Sequence, residues 1–282
     1  SANGLPSWIY YVVGASAGLV LGLALAFLLR WRRDLVRDSD IADQLGVPIL
    51  TTVPAGEDAA AAVLEAYRVL RTAVIANAPA PHVLGVTALG DARPASLATH
   101  AAKVLADAKY DVLLIDADTS GSEVSALLDL PGGPGLAEAV TRRADARELL
   151  VERHGFSVLT LGTHWDDLDG LTSSPQFRNL VTKTRQPYDY VVLLTGAAGT
   201  AEAEAALLAT DSVLLAVVPD RMTTARVRAT MERFARLGIR PLGVALQAVP
   251  SARGDRAARH DEKTEGSSGS PDEDRSRTRE PA

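Results

Sequence analysis

Asp116 and Asp118 close the apolar run VLLIDAD at 112–118, where carboxylates at the end of a buried strand can cap the turn that follows or help to hold a divalent cation. Upstream, VTALGDARPASLATHAA at 86–102 leaves a second apolar run and enters a helix-like segment. This is where a loop of backbone amides can cradle phosphate. Such a loop needs glycines, a lysine for the β- and γ-phosphates, and a Ser or Thr hydroxyl for Mg2+. Here it has one glycine, Gly90, a proline at Pro94, no lysine, and a hydroxyl at Ser96. Pro94 removes an N–H and fixes φ where amides would have to point at phosphate. The chain has four lysines, and the first, Lys103, lies about two helical turns beyond the loop. Arg93 offers charge, but its planar fork is no copy of an ammonium in a tight loop.

Other groups suggest less chemistry. His164-Trp165-Asp166-Asp167 has metal-binding residue types but no second ligand cluster at a recognisable spacing, so a polar loop is expected and no metal site. His82, His100 and His154 stand alone, and no Gly-x-Ser-x-Gly nucleophile motif occurs. The absence of cysteine excludes disulfides and thiolate metal sites. A net charge of −6 gives no reason to expect nucleic acid as a partner. On a helix expected at 63–77, Glu65, Arg68 and Arg71 fall on one surface, placed for pairs within the helix or across a subunit boundary.

The elements that would position these groups alternate. Apolar runs at 83–87, 112–115, 156–161, 190–194, 212–218 and 242–246 read as buried strands. Helical stretches are expected near 96–108, 135–152, 175–185, 200–208 and 223–237. The fold class is therefore α/β, a parallel sheet flanked by helices on both faces. Trp8 to Leu29 carries no charge, and at about 1.5 Å per residue its 22 residues would cross roughly 33 Å. Arg30, Arg32, Arg33 and Arg37 follow it, which places the N-terminus outside and the rest in the cytoplasm. The expected organisation is an extracytoplasmic end at 1–7, one transmembrane helix at 8–29, a juxtamembrane segment and linker at 30–62, a cytoplasmic domain at 63–250 and a disordered tail at 251–282. That tail has no Val, Ile, Leu or aromatic residue with which to build a core. The sequence does not open with Met, which leaves room for an upstream portion.

The ordered set of span, Arg cluster, LGVPILTTVP (45–54), EAYRVLRT (65–72), loop and VLLIDAD resembles the cytoplasmic half of bacterial polysaccharide co-polymerases, or chain-length determinants, fused to a tyrosine-kinase-like P-loop domain. The resemblance covers about 8–250 and extends to PGLAEAV (134–140), SSPQFRNLV (173–181), YDYVVLLT (188–195), ATDSVLLAVVP (209–219) and LGIRPLGVALQAV (237–249). It implies a P-loop NTPase-like fold and ring-like self-association through Glu65, Arg68 and Arg71. It also assigns a nucleotide site to Arg93, Ser96, Asp116 and Asp118, in degenerate form. The family's Gly-Lys-Ser-Thr falls on Arg93, Pro94, Ala95 and Ser96; its second metal Asp is Leu194, and the Arg of its acidic motif is Ser120. Its tail tyrosines have no counterpart, since the tyrosines here are at 10, 11, 67, 110, 188 and 190.

The implied function is a membrane-anchored pseudo-kinase or pseudo-ATPase module of a bacterial plasma membrane, with no catalytic residue and no cofactor. It would assemble with itself and with polymerase or export machinery to organise synthesis, chain-length control or export of a cell-surface polysaccharide. The alternative is an active tyrosine kinase or ATPase that uses Mg-ATP through an unorthodox loop. A partitioning ATPase-like adaptor is disfavoured by the N-terminal span.

Overall fold

A computed structural model of the chain describes residues 18–22, 46–56, 59–121, 123–141, 145–163, 170–219 and 221–248. In chain order the elements are β1 (Ile49–Val53), α1 (Ala60–Asn77), β2 (His82–Leu89), α2 (Pro94–Asp107), β3 (Val112–Ala117), α3 (Glu123–Leu127) and α4 (Leu136–Thr141). A 3-10 turn (Ala146–Leu149) leads to β4 (Val151–Arg153), β5 (Phe156–Leu159), α5 (Pro175–Thr184), β6 (Tyr190–Ala197), α6 (Ala201–Leu207), β7 (Ser212–Val217), α7 (Thr224–Leu237) and β8 (Pro241–Gln247). The strands form one sheet in the order β1-β8-β7-β2-β6-β3-β5-β4.

The central strands are predominantly apolar because both faces of the sheet are covered. Leu84, Val86, Leu114, Val192, Leu194 and Leu214 face α1 and α2, where they pack with Tyr67, Leu70, Val74, Leu97 and Leu105. The alternate residues point the other way. Val83, Leu113, Ile115, Val191 and Leu193 meet Leu136 and Val140 of α4 and Phe177 and Val181 of α5. Val213, Leu215 and Val217 meet Val227 and Phe234 of α7.

The structure departs from the sequence expectations in three places. The helix expected over 135–152 is broken into α4, the 3-10 turn and β4. The Asp145 side chain caps the 3-10 turn by accepting from the Arg147 amide, and the chain then turns back at His154 and Gly155, whose φ values are 51° and 83°. Two successive positive-φ residues are what a tight hairpin requires. The sheet is accordingly not wholly parallel, for β4 pairs antiparallel with β5. Residues 49–53, assigned above to the juxtamembrane segment, pair in parallel with β8 as the edge strand of the same sheet, and α1 begins at Ala60.

The span expected at 8–29 lies outside the described residues except for 18–22, which are helical, and the tail expected at 251–282 lies wholly outside them. No helix among the described residues is long and apolar enough to cross a membrane.

Candidate functional site

The loop that joins β2 to α2 sits at the carboxyl end of the central strands, the usual ligand edge of a parallel α/β sheet. Its single glycine makes the turn. Gly90 has φ +73°, and a Cβ there would stand 3.0 Å from Cγ of Met222. Pro94 opens α2 at a position where a missing N–H costs the helix nothing. Arg93 is the N-cap, and its side chain makes no capping bond.

The groups that would greet a phosphate are engaged by the protein itself. The Arg93 amide donates to Oε1 of Gln247 at 2.9 Å. Nε2 of Gln247 donates back to the Arg93 carbonyl at 3.0 Å. One carboxamide at the end of β8 thus satisfies both backbone groups of the N-cap residue. From the opposite side Met222, 2% exposed, packs over Gly90, and Arg221 lies 4.0 Å from the Asp91 carboxylate. The Ser96 hydroxyl bonds to the Tyr67 hydroxyl of α1. Tyr67 stacks on His100 with centroids 4.5 Å apart, and His100 Nδ1 lies 2.8 Å from the Ser96 carbonyl. Burial pushes the Tyr67 phenol above its ordinary value, and the Ser96 bond opposes that only in part.

The two aspartates at the end of β3 build a turn. Asp116, fully buried, accepts the Asp118 amide at 3.1 Å. Asp118 accepts the amide of Ser120 at 3.0 Å and its hydroxyl at 2.6 Å. These are the local side-chain-to-backbone bonds by which Asp shapes a loop. The sheet register sets Asp116 beside Leu194 of β6, so the neighbouring strand offers an apolar side chain where a second carboxylate would complete a metal site.

Of the four residues expected at the nucleotide site, Arg93 and Asp118 line one cavity of about 240 Å3, together with Gly90, Pro94, Ser120 and Glu123. Ser96 is turned to Tyr67, and Asp116 to the Asp118 amide. Sequence reasoning missed Gln247, Met222 and Glu123. Gln247 is 154 residues from Arg93 and carries no local signal of its role. At this end of the sheet Pro94 opens α2, Leu194 lies beside Asp116, and the Arg93 amide is engaged by Gln247.

Glu65, Arg68 and Arg71 lie elsewhere, on the outer side of α1. Glu65 and Arg68 are exposed and pair at 3.4 Å. Beside them an open groove of about 440 Å3 runs between α1 and β1, lined by Thr51, Thr52, Pro54, Glu65 and Val69. Leu64 and Val69 on this helix are 47% and 48% exposed. The His164–Asp167 stretch is outside the described residues.

A strand, a loop and a helix at the head of a central parallel sheet define an α/β fold of the P-loop NTPase type. No model of a known protein family matches the chain. Over this domain it is homologous to bacterial tyrosine-protein kinases, with 28% identity across 206 residues to the tyrosine-protein kinase ptk of Acinetobacter johnsonii. That match covers 63% of this chain, which spans only 28% of the relative's length. Among solved structures, the chimerical protein CapA2B2 superposes with a TM-score of 0.68 at 23% identity, over 76% of this chain and all of that one. The kinase domain of the Escherichia coli tyrosine kinase ETK does so with a TM-score of 0.67 at 20% identity, over 76% and 95% of the two chains. At these identities the superpositions speak for the fold.

Proposed function

We propose that the chain is a membrane-anchored, non-catalytic module on a tyrosine-kinase-like scaffold, which self-assembles and organises synthesis, chain-length control or export of a bacterial cell-surface polysaccharide. The single observation that carries this reading is the Gln247–Arg93 pair, a protein carboxamide occupying the backbone of a loop that has no lysine. Pro94, Leu194 and the Asp116–Asp118 turn support it. Kinase chemistry needs a cation at the transferring phosphate and a metal held by carboxylates. Neither has a complete set of groups here, whereas sheet and helices are those of the kinase fold. The work left to such a scaffold is assembly. The groove beside β1, the exposed Leu64 and Val69, and the Glu65, Arg68 and Arg71 surface favour α1 as the contact between copies. The apolar run at 8–29 and the arginines after it support the membrane anchor, with the domain on the cytoplasmic side.

A second reading, an active tyrosine kinase, is favoured by the retained Asp116 and Asp118. Transfer of the γ-phosphate of ATP by the full chain, measured beside the Asp116→Ala variant, separates the two. No transfer above the variant is the expected result, and transfer that Asp116→Ala abolishes would establish the kinase.

A further inference from the structure

The chain is sparing with carboxamides: Asn and Gln occur only at positions 3, 44, 77, 176, 179, 186 and 247. Among the described residues, Asn77 donates to the Ala73 carbonyl and Gln247 closes on Arg93. Gln176, Asn179 and Gln186 make no hydrogen bond among the described residues, and all three line one cleft of about 610 Å3.

The walls of this cleft are set by packing. Ser174 caps α5 by accepting from the Phe177 amide, and Phe177, Val181 and Thr184 form the helix's buried side. Gln176, Asn179 and Lys183, at spacings of three and four, therefore share one exposed stripe. Gln186 follows just beyond the last turn. The other wall is the end of α4 and the 3-10 turn. Glu138, buried, fixes the start of α4 by accepting from the Gly135 amide at 2.7 Å and the Thr163 hydroxyl at 2.8 Å. Ala139, Val140 and Ala146, all buried, supply an apolar floor. A concave site of this size with an apolar floor and a few polar groups suits a small ligand.

The lining specifies which kind. Lys183 and Arg147 are exposed and make no ion pair among the described residues. The acid of the cleft, Asp145, already accepts the Arg147 amide at 3.1 Å. Solvation alone would be served by the Lys, Arg, Asp and Glu that far outnumber carboxamides in this chain. A carboxamide offers an acceptor and two donors in one plane, the complement of a hydroxyl. Three of them answer a ligand with several hydroxyls, and two cations answer one acidic group. No aromatic ring lines the cleft among the described residues, so a nucleobase has nothing to stack on.

We propose that this cleft binds an anionic sugar. Gln176, Asn179 and Gln186 meet its hydroxyls, Lys183 and Arg147 its acidic group, and the apolar floor its C–H face. Bound there, the sugar bridges α4, the 3-10 turn and α5. These elements cover the face of the sheet opposite α1 and α2. The inference thus goes beyond the assembly role proposed above and does not depend on it, and either can fail while the other stands.

Calorimetric titration of the full chain in detergent with glucuronic acid and with glucose 1-phosphate tests it, beside glucose, acetate and inorganic phosphate. At least one anionic sugar should bind with a dissociation constant below about 1 mM, and the pair tells a carboxylate from a phosphate. Glucose and the matching simple anion should bind at least about tenfold more weakly, since each meets only part of the lining. Arg147→Gln with Lys183→Gln, and separately Gln176→Ala with Asn179→Ala, should each weaken the sugar at least about tenfold. These side chains are exposed, so the melting temperature should not move. No binding of either anionic sugar below about 1 mM, or binding that survives either double substitution, would overturn the proposal. So would a simple anion bound as tightly as its sugar, which would leave the cleft an unspecific anion patch.

Discussion

The carboxamide of Gln247 closes a two-bond ring with the backbone of Arg93, at 2.9 and 3.0 Å, and ties the end of β8 to the start of α2. The start of α2 is thus held by a side chain of the protein itself. Removing the side chain, in Gln247→Ala, should cost about 1–2 kcal/mol in denaturant unfolding. Hydrogen exchange at the Arg93 amide should quicken at least about tenfold, with the amides of β2 unchanged. An Arg93 amide that exchanges as fast in the unaltered chain as in the variant would show the ring to be absent in solution.

Tyr67 carries the loop's second tie, from the helix that bears Glu65 and Arg68. Tyr67 is 2% exposed and stacks on His100, so most of its contribution is packing. Tyr67→Phe should lose about 1 kcal/mol, the share of the Ser96 bond. Tyr67→Ala should lose roughly 3–5 kcal/mol. Equal losses in thermal or chemical denaturation would mean that the hydroxyl bond, not the ring, dominates.

At the far edge of the sheet, His82 Nε2 lies 2.8 Å from the Ser212 hydroxyl, while Asp211 accepts the Val83 amide and an Arg185 N–H. Burial lowers the imidazole below its ordinary 6.5; Asp211 opposes this and Arg185 adds to it. The unfolded chain therefore takes the proton more readily than the folded one. Stability tied to His82 is complete above 6.5 and declines as the pH falls through that value toward the folded one. Urea midpoints measured from about pH 7.5 to 5.5 should fall for the unaltered chain and fall less for His82→Asn.

Assembly is tested on α1. The Glu65–Arg68 pair is exposed, so its breakage should leave stability within about 0.5 kcal/mol. If α1 is the contact between copies, Arg68→Glu with Arg71→Glu should shift sedimentation of the detergent-solubilised chain from oligomer to monomer at unchanged melting temperature. An oligomer that survives both charge reversals would remove α1 from the interface.

Much of this architecture can be read along the chain. The runs at 112–115 and 190–194 have no polar break because helices cover both faces of the sheet, and that same continuity located β3 and β6. The loop's place followed from the strand before it and the helix after it. The 135–152 stretch misled because helix-forming residues continue through it, while the turn at His154–Gly155 depends on two positive φ angles with only one glycine to announce them. Gln247 was illegible for a different reason. Its role exists only when β8 lies two strands from β2, a property of the strand order and not of any window of sequence.

In the function proposed above, the scaffold persists without its nucleotide. Calorimetric titration of the full chain in detergent with Mg-ATP tests it most directly. The account predicts no saturable heat below about 1 mM, in the unaltered chain and in Asp116→Ala alike. Saturable binding tighter than about 10 μM, abolished by Asp116→Ala and accompanied by turnover, would contradict it.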